Sequence, residues 1–160
     1  IIPKKLETRS SSVNMRDDPF SLYVALDKEE MAEGTLYYDD ETSFEYHENN
    51  IFDYIHFQFN ISELEAHPMM ENYKKIKFDK IFIAGMKSTP KSATFACRTT
   101  NVTTQIANIH VDSEHLLHVD IAAMECDYSW TLKLNGSGKS ILGGSLMIFA
   151  AIVHVLKYFM

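Results

Sequence analysis

The sequence predicts an all-β chain, an antiparallel β-sandwich followed by an apolar C-terminal helix. Three observations predict it. Short apolar segments, several with period-2 alternation, recur through residues 20–134, which is the pattern of strands. Turn clusters separate them, among them Asp39-Asp40-Glu41-Thr42, Ser88-Thr89-Pro90, Thr100-Asn101 and Asp112-Ser113-Glu114. A long apolar run, Ile141 to Leu156, follows them and contains a single ionisable residue, His154. Short strands at close spacing, with no long helical period among them, make two packed sheets around one core.

Residues 1–19 are polar, and the predicted organisation starts with them as a linker ending at the turn Asp17-Asp18-Pro19, where proline pushes Asp18 out of helix. The sandwich is predicted over 20–134. Its first strand, Ser21 to Leu26, puts Leu22, Val24 and Leu26 on one face. Gly34 to Tyr38 is the second. Ile51 to Asn60 is the longest alternating run, with Ile51, Asp53, Ile55, Phe57 and Phe59 on one face and Phe52, Tyr54, His56 and Gln58 on the other. Residues 61–75, with His67-Pro68, read as a polar loop. Ile76 to Ala84, Ala93 to Thr99, Gln105 to Val111, Leu116 to Ile121 and Ser129 to Leu134 supply the remaining strands. Leu22, Val24, Leu26, Leu36, Ile55, Phe57, Phe82 and Trp130 are the predicted core.

Residues 135–140 read as a small-residue linker and 141–160 as an apolar membrane-anchor or anchor-signal segment. Ile141 to Leu156 has 16 residues between Lys139 and Lys157. As a helix it would span about 24 Å, and with Tyr158, Phe159 and Met160 about 30 Å, the thickness of a hydrocarbon core. Asn135-Gly136-Ser137 before it fits the small residues of a glycolipid-anchor site, although the polar spacer is short. A cleaved anchor signal, a spanning helix and a buried core helix all fit these residues.

Composition narrows the function classes. The chain has 160 residues and a formal net charge of -7, so it lacks the basic footprint of a nucleic-acid binder. Residues 1–70 hold 15 acidic and 5 basic side chains, an uneven split that reads as a solvated acidic rim. The first residue is Ile1 rather than Met, which fits a removed leader or a fragment of a longer protein.

The chemical motifs are few. Gly136-Ser137-Gly138-Lys139-Ser140 resembles a phosphate loop, but Lys133 stands where the motif needs its first glycine. His110, His115 and His118 are close in sequence, yet the odd spacing of His115 and His118 sends them to opposite faces of a strand. The adjacent carboxylates Asp39, Asp40 and Glu41 read as a solvated turn, since catalytic carboxylate pairs face each other across a substrate from separate elements. Cys97 and Cys126, the only cysteines, are either a disulfide or two buried thiols. Asn60-Ile61-Ser62, Asn101-Val102-Thr103 and Asn135-Gly136-Ser137 are N-glycosylation sequons, placing candidate sites at Asn60, Asn101 and Asn135. With the apolar tail they point to the secretory pathway, in the endoplasmic reticulum or at a cell-surface membrane.

A family resemblance lies in Arg9-Ser10-Ser11-Ser12, Met15, Asp17-Asp18-Pro19, Leu22-Tyr23-Val24-Ala25-Leu26, Ala32-Glu33-Gly34-Thr35-Leu36-Tyr37-Tyr38-Asp39-Asp40 and Ser43-Phe44. These residues resemble the region just after the catalytic barrel in glycoside hydrolase family 31. Lys80-Ile81-Phe82-Ile83-Ala84-Gly85 and Tyr128-Ser129-Trp130-Thr131-Leu132 resemble its last strands, and Ile1-Ile2-Pro3 the end of its preceding sheet domain. The likeness stops at residue 135. Glu41 departs from the glycine usual after the paired aspartates, so the turn must change shape or hold a glutamate at positive φ.

The resemblance implies a retaining α-glucosidase whose aspartate nucleophile and aspartate acid/base lie upstream of Ile1. No residue here matches either, so the chain is expected to carry no catalytic residue, cofactor or metal. Its expected role is a supporting sandwich for the catalytic barrel. Its expected partners are that barrel, the preceding sheet domain and, through the tail, a membrane, with an α-glucoside or glycan as substrate of the parent enzyme. The other reading is a free-standing, membrane-tethered sandwich that binds glycans or a protein.

Overall fold

A computed structural model describes residues 1–73, 76–121, 126 and 129–140. The predicted C-terminal helix and membrane segment, 141–160, lies outside the described residues. Among the described residues no helix is long and apolar enough to cross a membrane.

Eleven strands are described: β1 (Ile2–Lys5), β2 (Phe20–Ala25), β3 (Met31–Tyr38), β4 (Asp53–Asn60), β5 (Glu63–Glu71), β6 (Phe78–Ala84), β7 (Ser88–Cys97), β8 (Val102–Ile106), β9 (Ile109–Val111), β10 (Leu117–Asp120) and β11 (Trp130–Ser140). A single 3-10 turn (Ser12–Met15) and a one-turn helix α1 (Glu45–Glu48) interrupt them. The strands form a five-stranded sheet, β1-β2-β6-β10-β9, and a six-stranded sheet, β3-β4-β5-β11-β7-β8. One hydrophobic cluster joins their inner faces. Leu22, Val24, Ile81, Ile83, Leu117 and Val119 come from the first sheet, and Ile55, Phe57, Phe59, Leu64, Phe95, Trp130 and Leu132 from the second.

The two-sheet architecture matches the prediction, and β4 does so residue by residue. Asp53, Ile55, Phe57 and Phe59 face inward and are fully buried. The buried Asp53 carboxylate accepts the backbone N–H of Tyr73 at 2.9 Å, which partners a polar group that would otherwise be costly inside.

Several expectations are corrected. The sheets are not wholly antiparallel, because β2 and β6 run parallel. A parallel pair needs a long crossover, and here the β3–β4–β5 meander of the opposite sheet supplies it. Residues 61–75 are not all loop. β5 pairs with β4 from Asn60↔Glu63 onward and buries Leu64 and Ala66. Pro68 is tolerated beside a register shift, where ladder hydrogen bonding is already interrupted. The linker 1–19 contributes a strand, since Ile2–Lys5 pairs with β2. Gln105 to Val111 is not one strand. Its two halves, β8 and β9, belong to different sheets, and the chain crosses between them at Ala107-Asn108.

The predicted linker 135–140 is the end of β11, paired with β7 at Asn135↔Ser92, Ser137↔Pro90 and Ser140↔Ser88. Phe82 is not core. Ile81 and Ile83 take the inner face, which sends Phe82 outward to stack on Tyr23 at 4.7 Å.

Two backbone positions bear on the resemblance, one that keeps its glycine and one that departs from it. Gly34 lies under the first residue of the chain, where an added Cβ would sit 2.0 Å from the Ile1 carbonyl oxygen. Only glycine lets that segment approach β3 so closely. Glu41 has φ 58°, so the turn keeps its shape and holds the glutamate in the left-handed region. The Asp39 carboxylate accepts the Glu41 N–H at 2.8 Å and helps fix it there.

Candidate functional site

Some residues of the family resemblance, Arg9, Met15, Asp18, Tyr38 and Asp40, meet with Lys5, Arg16 and Phe20 where the polar arm reaches the turn after β3. Lys5, the last residue of β1, donates from Nζ to the Met15 carbonyl at 2.7 Å. The same ammonium lies 4.7 Å from the Phe20 ring centroid and 4.8 Å from that of Tyr38. The Tyr38 hydroxyl donates to the Arg16 carbonyl at 2.7 Å, and Arg16 Nη2 donates to the Asp40 carbonyl at 2.6 Å. Arg9 closes the arm on itself by a two-pronged bond to Asp18, at 3.0 and 2.8 Å. The polar arm 6–19 is thereby clasped against the turn between β3 and β4. These contacts give Arg9, Asp18, Tyr38 and Asp40 structural work.

The electrostatics agree. Backbone N–H and side-chain bonds from Ser43, with further bonds from Thr42, push the Asp40 carboxyl down to about 2. The Arg9 guanidinium holds Asp18 below the usual carboxylate range. A glycosidase acid needs the opposite shift, a carboxyl kept protonated near neutral pH. Burial, helped by the neighbouring Tyr73 and Glu41, pushes the Tyr38 phenol up to about 12.

That shift sets a pH dependence. The folded state holds the Tyr38 proton more tightly than the unfolded chain, whose phenols titrate near 10. The contribution is therefore complete below about pH 10 and is lost as pH rises toward about 12. Tyr38→Phe is expected to cost about 1 kcal/mol at neutral pH through the lost hydrogen bond. It should also shallow the fall in stability between pH 10 and 12, measured by urea unfolding of both proteins across that range. Parallel pH profiles for the two would refute the role given to Tyr38.

A second constellation lies on the outer face of the five-stranded sheet. Tyr23, Phe82, His118 and His110 form a row of rings across β2, β6, β10 and β9. Phe82 meets His118 edge-on at 5.0 Å, and His118 stacks on His110 at 4.5 Å. His118 Nε2 lies 2.8 Å from Asp112 Oδ2. Burial alone would raise the Asp112 carboxyl, but bonds from His118 and from the Leu116 and Glu114 backbone hold it below its usual range. Lys80, Asn108 and Asp120 border the same shallow cleft. His115 sits apart, in the turn before β10, with φ 63°. Among the described residues no three His, Cys, Asp or Glu side chains converge as metal ligands.

The remaining candidates are scattered. Cys97, ending β7, is joined to Cys126 by a disulfide. Asn60 is exposed at the end of β4, and Asn101 is exposed in the turn before β8. Asn135, Gly136 and Ser137 are strand residues of β11, so a glycolipid cleavage there would cut a strand paired with β7. Sequence reasoning missed the clasp, because Lys5, Arg16 and Tyr38 meet only in three dimensions. It also missed the ring row, whose members come from four separate strands.

Comparison with known proteins shows what the chain is similar to. No protein-family model matches the chain. Its curated relatives are α-glucosidases of glycoside hydrolase family 31, over about 58% of its length. The chain is 39% identical over 99 residues to a probable glucan 1,3-alpha-glucosidase of Arabidopsis thaliana, matching 58% of this chain and 10% of that one. It is 38% identical over 99 residues to neutral alpha-glucosidase AB of Dictyostelium discoideum, matching 59% of this chain and 10% of that one. The chain thus spans about a tenth of the length of these relatives.

Among solved structures it is similar to the glucosidase II alpha subunit. One such structure superposes with a TM-score of 0.70 at 20% identity over 83% of this chain and 16% of that one. Another, a heterodimeric complex of the catalytic subunit with the binding domain of the regulatory subunit, gives a TM-score of 0.64 at 21% identity over 84% of this chain and 16% of that one. At that identity the structures establish a shared fold.

Proposed function

We propose that this chain is a non-catalytic sandwich of a retaining α-glucosidase, supporting a catalytic barrel that precedes it in the full protein. The observation that carries the reading is the coincidence of two matches. Curated α-glucosidases align over more than half of the chain, and the two-sheet fold superposes on the glucosidase II alpha subunit over 83% of it. The clasp supports a structural role, because Lys5, Arg16 and Tyr38 hold the polar arm to the sandwich while Arg9 pairs with Asp18 within the arm. Hydrolysis of glycosidic bonds in an α-glucoside or glycan belongs, in this reading, to the rest of the protein.

The reading places the protein in the secretory pathway. A disulfide persists in an oxidising compartment, and one similar structure is described as an endoplasmic-reticulum enzyme. Attachment to a membrane through residues 141–160 is part of the proposal and rests on their composition.

Residues 1–160 purified alone are expected to leave a chromogenic α-glucoside intact, while the full-length protein hydrolyses it. Turnover by residues 1–160 above a buffer control would overturn the non-catalytic assignment. An inactive full-length protein would overturn the α-glucosidase assignment.

A further inference from the structure

We propose that Asn101 carries an N-linked glycan and that Asn135 does not, although both begin a sequon. The proposal rests on the secretory placement above and goes beyond it to a modification site.

The three sequons fold into different environments. Asn101 lies in the turn Arg98–Asn101 with φ 55°, a conformation that asparagine tolerates better than most residues. Asn101, Val102 and Thr103 are all exposed, Val102 by 55%. The Asn101 side-chain amide has no hydrogen-bond partner among the described residues. A bulky group on its nitrogen therefore displaces no contact.

Asn135 is the opposite case. It is half-buried on β11 opposite Ser92, and its Nδ2 donates to Thr94 Oγ1 at 2.8 Å across the strand pair. A sugar on that nitrogen would compete with the bond and crowd β7. Asn60 is exposed, but its sequon is bent into a tight turn. The Ser62 N–H donates to the Asn60 carbonyl at 2.6 Å, and the Ser62 carbonyl accepts the Leu134 N–H at 2.8 Å. Asn101 alone begins a sequon whose three residues all stay in solvent.

The disulfide behind that placement forms on the lumenal side, where glycan transfer also occurs. The donor class required is a lipid-diphosphate-linked oligosaccharide. Asn101 Nδ2 attacks the anomeric carbon. The carbon–nitrogen bond forms, the bond from that carbon to the diphosphate oxygen breaks, and the lipid diphosphate leaves. One amide proton goes to base, with no change in oxidation state.

The position also has a physical use. β8 is an edge strand of the six-stranded sheet, and edge strands offer unpaired backbone groups to other chains. A solubilising glycan at the residue just before β8 shields that edge.

The test uses the full-length protein from secretory cells. It is digested without reduction and treated with peptide-N-glycosidase in heavy-oxygen water, which converts a glycosylated asparagine to a labelled aspartate. Label is expected at Asn101 and absent at Asn135, with the peptides of Cys97 and Cys126 recovered joined. Asn101→Gln and Thr103→Ala should each lower the mass of the intact protein by one glycan, and both positions are exposed enough for the fold to survive. An unlabelled Asn101 in protein whose disulfide is formed overturns this proposal alone. An unlabelled Asn101 with both thiols free overturns the secretory placement as well. Label at Asn135 overturns the discrimination between the sites.

Discussion

Phe57→Ala is expected to destabilise the fold by about 3–5 kcal/mol, toward the top of that range. Phe57 is fully buried in the middle of β4. Its ring meets Phe78 edge-on at 5.7 Å and lies 6.3 Å from the Trp130 ring. The cost of truncation depends on how far the neighbours can collapse into the space left. Here the two cross-strand partners are Gly34 on β3 and Ala66 on β5. Neither has a side chain that can lean in, and the chain above Gly34 is already in close approach. The cavity should therefore persist. Phe82→Ala is the control, because Phe82 is half-buried on the outer face and its removal opens no internal cavity. Urea unfolding at constant slope compares the two. Equal losses would mean that the inner and outer faces are misassigned.

That pair of phenylalanines also shows what the sequence could reveal. In β4 the alternation is clean, with polar or aromatic residues between Ile55, Phe57 and Phe59, so the buried face is legible from period 2 alone. In β6 the run Ile81-Phe82-Ile83-Ala84 is apolar without a break, and alternation cannot say which residues face inward. β5 was hidden for the opposite reason. Only Leu64 and Ala66 mark its inner face, among Glu63, Glu65, His67 and Pro68, so its apolar signal is weak. The end of β11 was hidden because Asn135-Gly136-Ser137-Gly138 is small and polar, and its partner segment on β7, Ser88 to Ser92, is little more apolar. Two backbone ladders can pair there without any burial pattern to announce them.

Pairing partners are less legible than strands. Nothing in β2 or β6 taken separately says that they lie side by side and parallel, because their contact is set by the route of the three strands between them. The same limit applies to the candidate site. Asp39-Asp40 with Thr42 and Ser43 is readable as a turn, since short polar side chains bond the backbone two residues on. The ring row of Tyr23, Phe82, His118 and His110 depends on the registers Tyr23↔Phe82, Phe82↔His118 and His118↔His110. Those registers exist only after the sheet is assembled. Glu41 is the instructive intermediate. Its departure from glycine is visible in the sequence and poses two outcomes, and the structure takes the one with positive φ.

Removing the disulfide with Cys97→Ala and Cys126→Ala together is expected to cost about 3–4 kcal/mol. The bridge spans a sequence separation of 29, and the loop-closure entropy it removes from the unfolded chain gives that magnitude. The native contacts give no reason for the loss to be smaller. The closed loop contains β8, β9 and β10, so it leaves the six-stranded sheet, crosses at Ala107-Asn108 and runs through two strands of the five-stranded sheet. The bridge thus tethers the segment that changes sheets to the end of β7, where Cys97 lies opposite Trp130 of β11. Cys97 is itself buried, and alanine rather than serine avoids placing an unpaired hydroxyl there. Urea unfolding should show the double variant below the wild type in oxidising buffer. In the presence of a thiol reductant that opens the bridge, the wild type should fall to within about 1 kcal/mol of the variant, since both then lack the same crosslink. A wild type equally stable with the bridge open and closed would show that the disulfide contributes nothing to this fold.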